Sequence, residues 1–365
     1  MIKNVIVTGE SKSGKTSSII MPMLDKLIKN NRSLLFIDKN YEYYNNYAEE
    51  LKKEGYDIKI LNFDNPIYSN CTNILEIPYN YYKNGDKDKA YELVSNMIKS
   101  LFSFSANGDP FWSMSAISLV RGYIFKLFEY ADKEEINFLS VSRFLDILDS
   151  QDIKEIKEFL LKDVKSCAYR DLVSVLSAPY ETKASIISVT RIAINDLINY
   201  ENSLNVISND GFKLNEFLET TDKTVINKKS ALFIIPKLED SKNLLVNMIL
   251  SLAYEECKGH SWYFILDNID MVKVENFKEM FMVSNYRNIY MVVGTRNLDR
   301  LCNLYGKEIL EVADVKDSKD LKGNDMDKMN SEFKMLCASL KNSKDLPHLE
   351  KKEIIAFDLL DKMSK

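Results

Sequence analysis

Apolar positions in the amino-terminal stretch of the chain follow two alternating rhythms. Continuous apolar runs at Asn4–Thr8, Ser33–Asp38 (around Leu34-Leu35-Phe36-Ile37) and Asp57–Phe63 have the length and composition of buried strands. Between the first two, Ile19, Ile20, Met23, Leu24, Leu27 and Ile28 recur at helical spacing, and Tyr43–Glu54 forms a second helical stretch stopped by Gly55. Strand, helix, strand, helix, strand predicts an α/β fold with a mainly parallel sheet and helices on its faces.

From about Asp88 to Tyr200 the pattern changes to helix alone. One stripe is Leu93, Val94, Met97, Ile98, Leu101 and Phe102; another is Ile117, Val120, Ile124, Phe125 and Phe128. Ile153–Leu161 and Ile186–Leu197 carry the same period. Strands return at Ala231–Ile235, Trp262–Asp267 and Ile289–Val293, with helices near Ser241–Lys258 and Asn276–Asn285. The expected organisation is a nucleotide-binding α/β domain in two parts, 1–104 and 201–310, interrupted by an all-α domain at 105–200. A charged segment, 311–365, follows, with Ile354-Ile355-Ala356-Phe357 as a candidate last edge strand.

Composition narrows the function classes. The 365 residues are 45% hydrophobic and 28% charged, enough to bury a large core without cross-links. A formal charge of −5 excludes a uniformly basic nucleic-acid binder, so any DNA contact must come from a local surface. No apolar run approaches the ~18–20 residues that span a bilayer, and the start lacks a signal-peptide core. Five cysteines without a CxxC pair give neither a disulfide framework nor a zinc knuckle. A cytoplasmic location is expected. Only His260 and His348 are present, which disfavours histidine-based metal sites and triads.

Gly9-Glu10-Ser11-Lys12-Ser13-Gly14-Lys15-Thr16 fits GxxxxGK[ST] at every fixed position. Its glycines let the backbone curl until successive N–H groups face phosphate oxygens. Lys15 reaches the β- and γ-phosphates, and the Thr16 hydroxyl binds Mg²⁺. Gly9, Ser11, Ser13, Gly14, Lys15, Thr16 and Ser17 are the expected ATP-binding residues, and the following helix aims its positive end at the anion. The bland alternative is a glycine-containing turn with a surface lysine, which the strand before and the amphipathic helix after it disfavour. Such a site needs a second carboxylate at the end of a neighbouring strand. Trp262–Asp267 supplies it as Asp267, the expected partner of Thr16 at the metal, although Asp38 also ends a strand and Asp270 lies close by.

With these segments in order, the chain resembles the conjugative DNA-transfer coupling ATPases of type IV secretion, the TraG/TraD-like family, over roughly Ile6 to Gly306. The phosphate loop is followed by a helix with Pro22. Asp38-Lys39-Asn40-Tyr41-Glu42 is similar to the family's Asp-Pro-Lys-Gly-Glu, and Gly55–Asn62 to its next strand. Asp109-Pro110-Phe111-Trp112 stands intact ahead of a long helix, and Glu181-Thr182-Lys183-Ala184-Ser185-Ile186-Ile187 is similar to the segment leaving the helical domain. Leu266-Asp267-Asn268 and Leu298–Gly306 follow the second strand motif and the sensor segment. The resemblance implies a RecA-like P-loop NTPase carrying an all-α domain. It also implies a homo-hexameric ring that uses ATP and Mg²⁺ to deliver single-stranded DNA with its relaxase to a secretion channel.

The chain departs from the family's pattern in three places. No counterpart of the amino-terminal transmembrane helices is read ahead of the first strand, so attachment at the inner face of the membrane is expected through a membrane-anchored secretion component. The glutamate after the strand-ending aspartate is Asn268, and the sensor glutamine aligns with Arg296. Lys15, Asp267, Asn268 and Arg296 are thus the expected catalytic set. Asn268 leaves two classes open: an ATP-driven coupling enzyme, or a nucleotide-binding adaptor with little or no hydrolysis, since an amide positions water but takes no proton from it. A small-molecule kinase fits the loop but not the helical insertion. The tyrosines Tyr41, Tyr43, Tyr44, Tyr47, Tyr79, Tyr81 and Tyr82 either stack on bases or pack internally. Phe111-Trp112 is either a DNA wedge or an anchor for the helical insertion. Lys39, Arg121, Arg143, Arg170 and Arg191 line a channel or lie on a solvated face. Arg287, Arg296 and Arg300 are arginine-finger candidates or ion-pair partners.

Overall fold

The computed structural model describes Asn4–Ser318 except residues 11–12, 103–108, 149–152, 199–200, 220–227, 238–242, 258–260, 271, 273 and 275. The candidate strand at Ile354–Phe357 lies outside the described residues. Asn4–Ser318 forms one compact unit. Seven parallel strands make its sheet: β1 (Asn4–Thr8), β2 (Ser33–Ile37), β3 (Asp57–Asn62), β4 (Ser230–Ile235), β5 (Trp262–Leu266), β6 (Ile289–Thr295) and β7 (Ala313–Asp317). Their order is β3-β4-β2-β5-β6-β1-β7. Every residue of β2, β4, β5 and β6 is buried. That is why these segments show unbroken apolar runs rather than alternation: parallel neighbours need crossovers, and the crossovers cover both faces.

β7 falls within the segment that the sequence pattern assigns to a charged tail. Its residues, Ala-Asp-Val-Lys-Asp, sit at an edge beside β1, where only Ala313 is fully buried and Val315 is exposed. An edge strand needs no apolar run, and its charges guard the open edge.

Helices α1 (Met21–Lys29) and α2 (Glu42–Lys53) follow β1 and β2. Among the described residues, the elements between β3 and β4 are helices: α3 (Glu76–Lys83), α4 (Lys87–Phe102), α5 (Pro110–Tyr130), α6 (Phe138–Leu148), α7 (Ile153–Leu160), α8 (Cys167–Leu176), α9 (Tyr180–Ile198), α10 (Glu201–Val206) and α11 (Leu214–Leu218). Helical structure therefore extends on both sides of the expected 105–200. Then come α12 (Leu244–Glu256), α13 (Phe277–Val283) and α14 (Leu298–Tyr305).

The helical run starts from the edge strand β3 and returns to the inner strand β4. α5 packs on α8 and α9, and at Gly122 the absent Cβ lets Leu172 Cγ approach to 2.6 Å of where it would be. Beside it, Arg121 forks onto Asp171, Nε to Oδ2 at 2.7 Å and Nη2 to Oδ1 at 2.5 Å, with its guanidinium over Tyr91. α4 joins these helices to α12 through Lys89 and Glu255 at 2.7 Å, and α3 joins through Tyr81 and Glu256. Tyr79 and Tyr82 pack on Phe128, and Trp112 packs against the core while Phe111 stays half-exposed. These aromatic and cationic side chains thus have internal partners. Among the described residues, no helix is long and apolar enough to cross a membrane.

A candidate nucleotide site at the carboxyl ends of the strands

The GxxxxGK[ST] segment leaves β1 at Thr8. Gly9 N–H donates to Thr295 O at 3.1 Å, which holds the loop against β6, and Ser13 N–H closes it onto Glu10 O at 3.2 Å. A Cβ on Gly9 would overlap the Ser13 and Ser318 hydroxyls, and Gly14 takes φ +85°, so both fixed glycines are required by the backbone path. Lys15–Ile20 form a π-helical turn that runs into α1, with Pro22 the second residue of α1.

Three elements, β5, β6 and α2, bring their ends to this loop. β5 delivers Asp267, which is 4% exposed. Its Oδ2 accepts from Thr16 Oγ1 and from the Tyr43 hydroxyl, each at 2.9 Å; its Oδ1 accepts from Asn268 N–H at 2.8 Å. Lys15 Nζ lies 3.6 Å from Asp267 Oδ1 and donates to Asn268 Oδ1 at 3.1 Å. Arg296, exposed just beyond β6, points Nε at the same Asn268 oxygen, 3.4 Å away. Lys15, Thr16, Asp267, Asn268 and Arg296 therefore meet at one place. Of the sequence alternatives, Asp38 and Asp270 are both buried, but the Thr16 hydroxyl is bonded to Asp267. Ser17 is exposed with its hydroxyl turned back to Gly14 O at 3.3 Å, Ser13 meets Ser318 at 2.9 Å, and Ser11 lies outside the described residues.

The aspartate does not sit on the strand next to the loop, as the sequence pattern suggested. β6 runs between β1 and β5. Leu266 is in register with Val293, which sets Asp267 opposite Gly294, and a Cβ there would overlap Asp267 Oδ1 and come within 2.8 Å of Cγ. Gly294 is thus the gap through which the carboxylate crosses β6 to reach Thr16. A glycine inside an apolar strand is the sequence signal of such an approach.

Negative charge is concentrated on the other side. Ile37 is in register with Leu266, so Asp38 leaves β2 beside Asp267. Asp38 accepts Tyr44 N–H at 2.8 Å, yet burial holds its pKa above the usual carboxylate value. Burial also raises Glu42, with Asp267 and Asp38 adding to the rise and Lys15 opposing it. Tyr43 is pushed well up by burial and by Asp267, so its hydroxyl remains a donor. Gly294 and Ser318 are site residues that the sequence pattern did not single out, and Tyr43 it named only within a tyrosine cluster that stacks or packs, not as a partner of Asp267.

A glycine cradle, a buried lysine, and one hydroxyl beside one carboxylate suit a polyphosphate with a hard, oxygen-seeking cation. Thr16 and Asp267 are the side chains that would hold Mg²⁺, and Lys15 the one that would meet terminal phosphates. Bound there, the cation would neutralise charge on the phosphate oxygens. Arg287, by contrast, is engaged with Glu255 at 3.0 Å and lies over Tyr254.

The chain is similar in fold to solved structures of the plasmid coupling protein TrwB. The form in complex with ADP and Mg²⁺ has a TM-score of 0.58 and 13% identity over 85% of this chain and 67% of that one. The form with the non-hydrolysable analogue ADPNP has a TM-score of 0.58 and 12% identity over the same shares, and the bacterial conjugative coupling protein TrwBdeltaN70 with sulphate has 0.58 and 13%. The chain spans about two thirds of those proteins. At these identities the likeness shows the RecA-like P-loop fold. No curated protein matches the chain. The family model of type IV secretory system conjugative DNA transfer matches residues 2–308. The chain belongs to that family.

Proposed function

We propose that the protein binds ATP with Mg²⁺ at Gly9–Thr16 and serves as the coupling protein of a conjugative, type IV secretion-like system. There it uses ATP to move or recruit single-stranded DNA with its relaxase. The observation that carries this reading is the convergence of Lys15, Thr16 and Asp267 across β6 in a chain of the conjugative DNA transfer family. Complexes of TrwB with ADP and Mg²⁺, with ADPNP and with the GTP analogue GDPNP support nucleotide binding, and the choice of ATP is drawn from the family. A membrane-anchored secretion component and a homo-hexameric ring belong to the same proposal, drawn from the family.

Asn268 favours a second reading, a nucleotide-loaded adaptor that hydrolyses little or nothing. Its amide oxygen faces two cations and has no basicity to take a proton from water. Steady-state ATP hydrolysis, with and without single-stranded DNA, separates the two when run beside a sizing measurement in ATP. DNA-stimulated turnover that is lost in Lys15→Ala supports the coupling enzyme. Tight nucleotide binding without turnover, lost in the same variant, supports the adaptor. Binding unchanged in Lys15→Ala removes this loop as the site.

A further inference from the structure

We propose that Tyr43 is a positioning residue for the metal-holding carboxylate, the side chain that fixes the plane of Asp267. This rests on the nucleotide-site reading above and adds a residue to it. Tyr43 is 2% exposed at the start of α2, and its hydroxyl donates to Asp267 Oδ2 at 2.9 Å. Its ring is held from behind, stacked on Phe36 at 5.6 Å, and Phe36 is stacked on Phe233 at 4.5 Å, so the phenol is braced by β2 and β4. The backbone that presents it is also fixed. Tyr41 takes φ +55° to turn the chain out of β2, and Asp38 accepts Tyr44 N–H at 2.8 Å at the first turn of α2.

Asp267 Oδ2 has two side-chain donors here, Thr16 and Tyr43. The two are not equivalent. Thr16 is half-buried on the loop, and its oxygen is the one a cation would use, so its hydroxyl is shared between the cation and Asp267. Tyr43 reaches the same oxygen from α2 rather than from the loop, and is not one of the groups that would hold the cation. Asn268 N–H holds Oδ1, so the two bonds pin both carboxylate oxygens and set which lone pairs face Thr16. Groups that orient a metal-holding carboxylate in this way typically account for about 10–100-fold in metal affinity.

Tyr43→Phe keeps the stacked ring and removes only the hydroxyl. ATP is titrated calorimetrically into wild type and variant, once with Mg²⁺ and once with a chelator. The expected result is an affinity in Mg²⁺ about tenfold weaker in the variant, with equal affinities in chelator. Equal affinities in both conditions would overturn the proposal while leaving the nucleotide site standing. An equal loss in both would also overturn it, because Tyr43 would then support the fold rather than the carboxylate. A wild type that gains nothing from Mg²⁺ would remove the metal site and this inference together.

Discussion

Adding one methyl group at Gly294 tests the geometry that brings Asp267 to the phosphate loop. Gly294 lies in the middle of the sheet with ordinary extended backbone, so alanine there meets no conformational penalty, and the cost comes from the neighbour alone. The new Cβ would overlap Asp267 Oδ1 and stand 2.8 Å from Cγ, closer than carbon atoms approach, and a tight 3.2 Å from Cα. The carboxylate must rotate or the strands must part. Rotation gives up the Asn268 N–H bond on Oδ1 and misaligns the Thr16 and Tyr43 bonds on Oδ2. Hydrogen bonds to a charged group are worth about 1.5–3 kcal/mol each, an off-rotamer side chain costs about 1 kcal/mol, and glycine-to-alanine returns about 0.4–1 kcal/mol through the unfolded chain. The expected net loss is about 2–4 kcal/mol of apo stability. Equilibrium urea unfolding reads that loss, and calorimetry with Mg²⁺ and ATP should show affinity reduced at least tenfold. The decisive measurement is the same substitution in an Asp267→Ala background, where the methyl has room and the cost should fall below about 1 kcal/mol. An undiminished cost in that background would refute the reasoning, since the clash would then be with something other than the carboxylate.

Two further outcomes follow from the charges around the site. Asp38 and Glu42 have folded-state pKa values above their ordinary ones, so the folded protein binds protons more tightly than the unfolded chain, and the stability they supply is full below the ordinary carboxylate pKa and lost as pH rises through the raised one. Asp38→Asn, which keeps an acceptor for Tyr44 N–H, should therefore raise stability more at pH 7 than at pH 4.5 in urea unfolding of the apo protein; a gain independent of pH would contradict it. Asn268→Glu should raise ATP turnover at least tenfold, a cautious floor below the ~10²–10⁴ of general-base catalysis. It should also cost about 1 kcal/mol in unfolding free energy, because residue 268 sits at φ +54°; unchanged turnover with intact binding would favour the adaptor.

The parts of the fold that buried strands dictate were readable from apolar runs. Asn4–Thr8 and Trp262–Leu266 appear where continuous apolar sequence places them, because a strand covered on both faces has no polar position to blur it. β7 was not readable, because an edge strand carrying Asp314, Lys316 and Asp317 obeys a different rule. The phosphate loop was legible because its glycines, lysine and threonine are each demanded by one local geometry. The sheet order was not: placing β6 between β1 and β5 depends on pairings between segments far apart in sequence. Its one local trace is Gly294. Tyr43 was hidden among neighbouring tyrosines of like spacing, and only the register of β2 with β5 separates it from Tyr41, Tyr44 and Tyr47.

The same register explains why Asn268 matters more than its neutrality suggests. Asp38 and Asp267 emerge side by side from β2 and β5, with Glu42 close by, so one flank of the loop is acidic. Lys15 and Arg296 lie on the other flank, and Asn268 Oδ1 stands between them as the acceptor both cations address. That surrounding favours a negative charge at residue 268, since nearby cations stabilise an ionised carboxylate. At residue 268 a neutral amide offers the two cations only a dipole, with Lys15 also facing Asp267 Oδ1 at 3.6 Å, so their charge is freer to meet an anionic ligand than it would be beside a glutamate. Asparagine at this position therefore exchanges basicity towards water for positive potential at the loop. In physical terms the exchange favours holding a polyphosphate over breaking it, and turnover then depends on whether another group near the terminal phosphate accepts the proton.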